Sequence, residues 1–334
     1  MIEDKKPFPP VAFVLIAVLL WSTGGLFIKL TTLDAYQVTF FRSLLAGITV
    51  LVVTRRNGLR INWFGIMASC IYATLLFLFV WATKHGTAAN AIFLQYTAPI
   101  YILILAPFVI GEKFHWRDLV TVIFCIGGMS LFFVGKLDTT AYQANIAALG
   151  SGIFLGLYIM LLRHPRTTGV RSPHVGKGHV VIKDGSENKV AAGSVPPAEA
   201  GEGPSDGSRP QIRTPQPVNT VITVIYGNFL LALLTLPSGI AALPTMTVMD
   251  AIAVGILGIF QIGISYILFI KGVTGGTRPL DASIIGFIEP LLNPVWVFLF
   301  VGEQPSNWAL LGGAIIIATV VVHTLNQYRT KSAA

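Results

Sequence analysis

Ten stretches of this chain are apolar for about as long as a bilayer is thick, over residues 9–30, 36–54, 62–83, 88–111, 118–135, 144–163, 218–240, 248–271, 281–302 and 307–325. As helix, about 20 apolar residues cross a hydrocarbon core of roughly 30 Å. A membrane barrel would instead show ~10-residue segments of alternating polarity. These runs are continuous, so the expected fold is an all-α integral membrane protein of ten transmembrane helices with little mass outside the bilayer. Charge content agrees: 11% of the residues are charged, against about a quarter in soluble domains.

The first run follows MIEDKKPFPP and continues through Trp21 and Lys29. It is too long for a cleaved signal peptide and reads as an uncleaved first span. Cys70 and Cys125 fall inside spans three and five and are expected to be buried apolar thiols. With no disulfide framework or zinc spacing, no metal and no cofactor is expected.

Basic residues set the orientation. With the N-terminus inside, 19 Lys and Arg lie on the inner side and 4 on the outer; the four are Lys29, Arg42, Lys84 and Lys136. The positive-inside rule then puts both termini in the cytoplasm, in an inner (plasma) membrane. The net charge of +8 is this topology signal, scattered over short loops. It is not a nucleic-acid surface.

Residues 164–217 differ from the rest. They hold no aromatic residue and are rich in Gly and Pro. Such a segment buries too little apolar surface to offset its ordering entropy, so a disordered cytoplasmic loop is expected. His174 and His179 within it have no ligand pattern around them and read as loop residues.

The chain also repeats itself. QYTAPIYILILAPFVIGE (95–112) aligns with GFIEPLLNPVWVFLFVGE (286–303) when Pro99 is set on Pro290, an offset of 290 − 99 = 191. Gly111-Glu112 then falls on Gly302-Glu303 without a gap. Five spans per half is an odd number, so the halves insert in opposite orientations, an arrangement used by transporters with a site near the midplane. The expected units are 8–135 for the first five-helix repeat, and 141–163 with 218–325 for the second.

On these residues the chain resembles the EamA-type branch of the drug/metabolite transporter superfamily. LLWSTGGLFIK (19–29), FFRSLLAG (40–47), AIFLQYTAPIY (91–101) and SIIGFIEPLLNPVW (283–296) carry the likeness, together with the two Gly-Glu pairs. The resemblance implies ten helices in two inverted five-helix repeats and the export of amino acids, other metabolites or drugs. The long connection between spans six and seven departs from the family pattern.

Polar residues inside the apolar runs are the candidate site. Counting from Asp281, Glu289 lies about 12 Å deep, near the midplane, where a charge costs about 2.5–3.5 kcal/mol and belongs in the bundle interior or in water. Asn293 and Trp296 share its helical face at i+4 and i+7. Pro99, Pro290 and Pro294 free backbone carbonyls one turn earlier, tolerated only against protein or a water-filled cavity. A solute ammonium or a coupling proton suits Glu289; a structural carboxylate, paired with Arg42, the other intramembrane charge, or hydrogen-bonded to a neighbouring helix, is the plainer alternative. Trp21, Gln95, Tyr96, Gln261, Ser265, Tyr72, Tyr158 and Asn228 complete the set. Each alone is compatible with interhelical packing; together they mark a cavity lined by both halves. Ala148, Gly152 and Gly156 repeat every four residues and read as a close-packing face.

Absences narrow the function. Spans four and nine contain no Lys or Arg, against a sugar-phosphate carrier. No GxxxxGK[ST] sequence is present, against ATP drive within this chain. No nucleophile–base pair stands in the spans, so no enzyme is expected. The reading is a secondary transporter exporting a small metabolite, an amino acid or other neutral or zwitterionic solute, by alternating access. Its partners are the lipid bilayer, the solute and protons. The oligomeric state is open, and a monomer suffices. The alternative is a non-transporting membrane sensor or scaffold acting through 164–217. Deleting that loop should leave solute flux in proteoliposomes unchanged under the first reading, whereas under the alternative it should abolish the sensing or scaffold function.

Overall fold

The computed structural model describes residues 8–55, 59, 61–132, 134, 140–164, 220–301 and 307–332. For residues 89, 132, 293, 294, 297, 298, 300, 301 and 327–332 it describes the backbone alone. The expected loop lies from residue 165 outside the described residues, as do Gly302 and Glu303; the side chains of Asn293 and Pro294 do too.

Among the described residues all regular structure is helical. In chain order the helices are α1 (Pro10–Trp21), α2 (Gly24–Leu30), α3 (Ala35–Thr54), α4 (Trp63–His85), α5 (Ala88–Gln95), α6 (Ala98–Val109), α7 (Trp116–Phe132) and α8 (Tyr142–Arg163). After the undescribed segment follow α9 (Val221–Leu234), α10 (Leu236–Ala242), α11 (Val248–Ile256), a π-helical stretch (Leu257–Ile264), α12 (Ser265–Thr274), α13 (Pro279–Gly286), α14 (Ile288–Val301) and α15 (Asn307–Ser332). Among the described residues seven helical stretches are long and apolar enough to cross a membrane, or eight when α9 and α10, bent by 65°, count as one.

Starts and stops follow local chemistry. Asp34 and Gln37 form a capping box at α3, Asn62 accepts from the Gly65 N–H at α4, and Thr87 accepts from the Asn90 N–H at α5. Each satisfies an N–H that the first turn leaves orphaned. Proline opens α1, α6, α10 and α13, where its missing donor costs nothing.

Several runs that read as unbroken are interrupted. The first breaks at Ser22–Thr23, and the seventh turns at Thr235, just before Pro237. The eighth widens to a π-helix between α11 and α12. The first and seventh interruptions fall on short stretches of small and polar residues, WSTGG (21–25) and TLPSG (235–239), too brief to divide an apolar run of this length. The helix continues through Pro294; the break in that run comes earlier, at Phe287. Cys125 is buried as expected, but Cys70 is exposed: it lies on the outward face of α4, where a thiol is apolar enough to meet lipid.

Helices pack as a bundle in which α4 lies on α8, α1 on α12, α3 on α9 and α7 on α15. The π stretch lies on α3 and α9 on α4; α5 and α6 lie on α8, and α13 and α14 on α1. Phe108, Val53, Ile123 and Leu233 stay exposed on the periphery, as suits a hydrocarbon solvent. Trp63, Trp116 and Trp308 are exposed near helix ends, where an interfacial belt lies.

Candidate functional site

Two helix breaks face each other in the middle of the bundle. Pro99 has no N–H to return to the Gln95 carbonyl, and α5 ends at Gln95 before α6 begins at Ala98. Pro290 likewise cannot bond the Gly286 carbonyl, and α13 ends at Gly286. The Tyr96 and Phe287 rings meet across the gap with centroids 5.4 Å apart. A Cβ on Gly286 would lie 2.9 Å from Cε1 of Tyr96, so the absent side chain is what lets the tyrosine in. Tyr96 then donates its phenolic hydrogen to Glu289 Oε2 at 2.6 Å, a length typical of a bond to a carboxylate.

Beside this bond lies a small cavity of about 30 Å³, lined by Trp21, Arg42, Leu75, Leu76, Phe79, Gln95, Tyr96, Leu155, Gln261, Ile262, Tyr266 and Glu289. Such a volume admits water-sized guests; a metabolite needs the walls to part. Arg42 is fully buried, and its Nη2 reaches the Leu76 carbonyl at 3.4 Å. Its Nε and Nη1 have no hydrogen-bond partner, nor do Trp21 Nε1 and Gln261 Oε1. Four of the seven unpartnered buried side-chain atoms among the described residues thus belong to this lining. Unmet buried polar groups are costly, and their concentration in one place makes this lining the candidate site.

No ion pair within 4.0 Å joins Arg42 to Glu289. Of the two structural arrangements weighed from sequence, the ion pair with Arg42 is not formed, and the hydrogen bond to a neighbouring helix is, through Tyr96 at the opposite break.

The other sequence-derived candidates divide. Trp21, Gln95, Tyr96 and Gln261 stand in the lining with Glu289 and Arg42. Tyr72, Tyr158 and Asn228 stand beside it as a hydrogen-bonded aromatic cluster. Asn228 Nδ2 donates to the Tyr72 hydroxyl at 3.1 Å, Tyr158 and Thr223 share a bond of 2.9 Å, and the Tyr72 ring lies edge-on to Tyr266 at 4.8 Å. Ser265 turns its hydroxyl back to the Gln261 carbonyl. Trp296 donates to Ser22 Oγ at 2.9 Å and so ties α14 to the α1–α2 break. Tyr266 and Phe79 are lining residues that sequence reading missed; Tyr266, a mid-span tyrosine five residues past Gln261, offered the same signal as Tyr72.

A second polar cluster closes one end of the bundle. Arg278, just before α13, pairs with Asp118 at 2.9 Å, Glu112 at 3.5 Å and Asp281 at 3.7 Å. Asp281 also meets His323 of α15 at 2.9 Å. Glu112, noticed in the sequence only as a mark of the repeat, here joins the segment after α6 to the segment before α13. Burial holds the Glu112 carboxyl above its ordinary range, with Arg278 and Arg163 pulling it back. Burial disfavours the Arg278 cation, but Asp281, Asp118 and Glu112 outweigh that and hold it above its ordinary value. At the opposite end Asp250 accepts from the Thr32 N–H at 2.7 Å and the Thr32 hydroxyl at 2.9 Å, fixing the α2–α3 turn to α11.

Arg278→Gln should therefore destabilise the protein in detergent, by about 3 kcal/mol or less, since breaking a buried pair costs ~3–5 kcal/mol and this one is partly solvated. An acid whose folded pKa is raised binds protons more tightly when folded, so its contribution falls as pH rises from the ordinary carboxylate range through the shifted value. Without the guanidinium Glu112 shifts further up. The deficit of the variant should thus be larger at pH 8 than at pH 5; a deficit independent of pH would remove Glu112 from the account.

Helices that cross a membrane, broken in mid-run around buried polar groups, define a polytopic membrane protein with an internal polar site. A profile described as "EamA-like transporter family" matches residues 9–134 and 212–325, and the chain belongs to that family. It is similar to the human protein "Solute carrier family 35 member G1", at 25% identity over 184 residues, covering 48% of this chain and 50% of that protein. The match thus spans about half the length of that relative. A solved structure described only as "Crystal structure of protein" shares the fold, with a TM-score of 0.63, 16% identity, and coverage of 95% of this chain and 97% of that one.

Proposed function

We propose that the chain is a secondary transporter of the inner membrane that exports a small metabolite, an amino acid or other neutral or zwitterionic solute, by alternating access. Its working parts are two inverted five-helix halves, 8–135 and 141–163 with 218–325, comprising ten spans with both termini cytoplasmic. They rock about the cavity that holds Glu289, and the breaks before Pro99 and Pro290 act as the flexing points.

Helix packing supports the two halves. Exchanging the first run with the sixth, the second with the seventh, and so on turns the α4–α8 pair into the α12–α1 pair. It turns α3 on the π stretch into α9 on α4, and α5–α6 on α8 into α13–α14 on α1; every one of these pairs is present. The two central breaks also obey the repeat offset, since Gln95 ends α5 and Gly286 ends α13, and 286 − 95 = 191. A two-fold-related packing with both breaks at the centre is what rocking halves need.

The observation that carries the proposal is the group of unpartnered polar atoms facing one cavity between the two breaks. A solute binding there meets donors and acceptors that the protein leaves free. The direct test is counterflow in proteoliposomes with labelled neutral amino acids. Accumulation of label against preloaded unlabelled solute is the expected result. An absence of exchange across the panel would count against this solute class.

A further inference from the structure

We infer that Arg42 is the docking group for a carboxylate on the transported solute. The inference rests on the reading of the central cavity as the solute path, and it names the chemistry of one side of that path.

Arg42 has no exposed surface, yet two of its three guanidinium nitrogens lack an acceptor and the third makes a single long bond to the Leu76 carbonyl. A buried cation with unmet donors is among the most expensive arrangements a fold can hold. The neighbouring charge does not relieve it: Glu289 faces the same cavity, but its close partner is Tyr96. The hydroxyls in electrostatic reach of Arg42 belong to Tyr72 and Tyr266, and the Tyr72 hydroxyl is already taken up by Asn228. The backbone that carries Arg42 is closely packed: Gly258 of the π stretch lies against α3 so tightly that a Cβ there would sit 2.9 Å from the Arg42 carbonyl oxygen. Arg42 itself stands in the cavity lining, with donors suited to a planar oxyanion.

The rest of the lining selects among anions. Among the described residues it holds one positive charge, Arg42, and one negative, Glu289. With Glu289 ionised, a zwitterion that sets its carboxylate on Arg42 and its cationic group toward Glu289 leaves the site balanced; with Glu289 protonated, a singly charged anion does; a phosphate dianion is balanced in neither case. Trp21, Leu75, Phe79 and Tyr266 offer an apolar and aromatic wall to the body of the solute. Lysine at position 42 would keep the charge but lose the planar set of donors.

Thermal unfolding of the full chain, purified in detergent, tests this with matched probes: leucine, phenylalanine and benzoate against leucinamide, phenylalaninamide and benzamide. At least one acid should raise the melting temperature of the wild type by several degrees at saturation, while its amide should not. Arg42→Lys should weaken that acid by at least tenfold in the concentration needed, and Arg42→Gln should abolish the shift. The wild-type acid-against-amide comparison decides the matter even where a variant does not fold. Amides that stabilise as well as their acids, or acids that fail to distinguish wild type from Arg42→Lys, would overturn the inference. Counterflow separates this from the transport reading: acid-selective stabilisation without flux would leave Arg42 a carboxylate site and count against transport of that acid.

Discussion

Glu289→Gln is expected to leave solute exchange intact and to abolish its response to a proton gradient. Glutamine has nearly the same shape, and its amide oxygen still accepts the hydrogen that Tyr96 donates to Glu289 at 2.6 Å. What the substitution removes is the ionisation. A gradient of one pH unit is worth about 1.4 kcal/mol per proton, or up to about a tenfold solute ratio at steady state. Wild-type proteoliposomes should hold a ratio approaching that value, and the variant should settle near one. Should both ignore the gradient, the carboxylate is structural and efflux is passive. Loss of exchange itself in the variant would instead make Glu289 a solute ligand.

Gly152→Ala should destabilise the protein and slow flux, although it adds a single methyl group to a helix. A Cβ at this position of α8 would lie 2.8 Å from the Gln95 carbonyl oxygen, 3.0 Å from that of Leu94 and 3.0 Å from Thr97 Oγ1. Two of the three are backbone atoms of the α5–α6 break and cannot rotate aside. The Gln95 carbonyl is also the one that Pro99 leaves without an i+4 helical donor, so the methyl group would press directly on the break. Overpacking of this kind costs about 1–3 kcal/mol. Gly127→Ala on α7 is the matched control, because a Cβ added there would meet no atom within 4 Å. Unfolding in detergent should show a clear fall for Gly152→Ala and none for Gly127→Ala. Equal melting of the two would mean that the break absorbs the methyl group freely.

Much of the central site drew attention in the sequence because its residues break the local rule. Glu289 is a carboxylate in an apolar run, Trp21 an indole away from any interface, and Pro99 and Pro290 are helix breakers at matched places. Gln95, Tyr96 and Gln261 stood out for the same reason. The residues that escaped notice follow local rules. Phe79 is one aromatic among many in an apolar run, and the break at Ser22–Thr23 has no proline to announce it. Gly258 and Gly263 sit in a π stretch whose hydropathy is that of any span. The Arg278 cluster escaped because its members occupy different runs and short loops, where charged residues are ordinary.

The sequence by itself determined the helical membrane class, the family, and the matched prolines of the two halves. Hydropathy and backbone chemistry act over a turn or two, so a linear reading captures them. Tertiary structure alone decided that Tyr96 closes on Glu289 across 193 residues, that Arg42 shares the cavity with Glu289 without an ion pair to it, and that Gly152 bears on the Gln95 carbonyl. Those outcomes depend on where separate helices come to rest. A choice of a few ångströms between bonding partners is made by the packing of the whole bundle, not by any one segment.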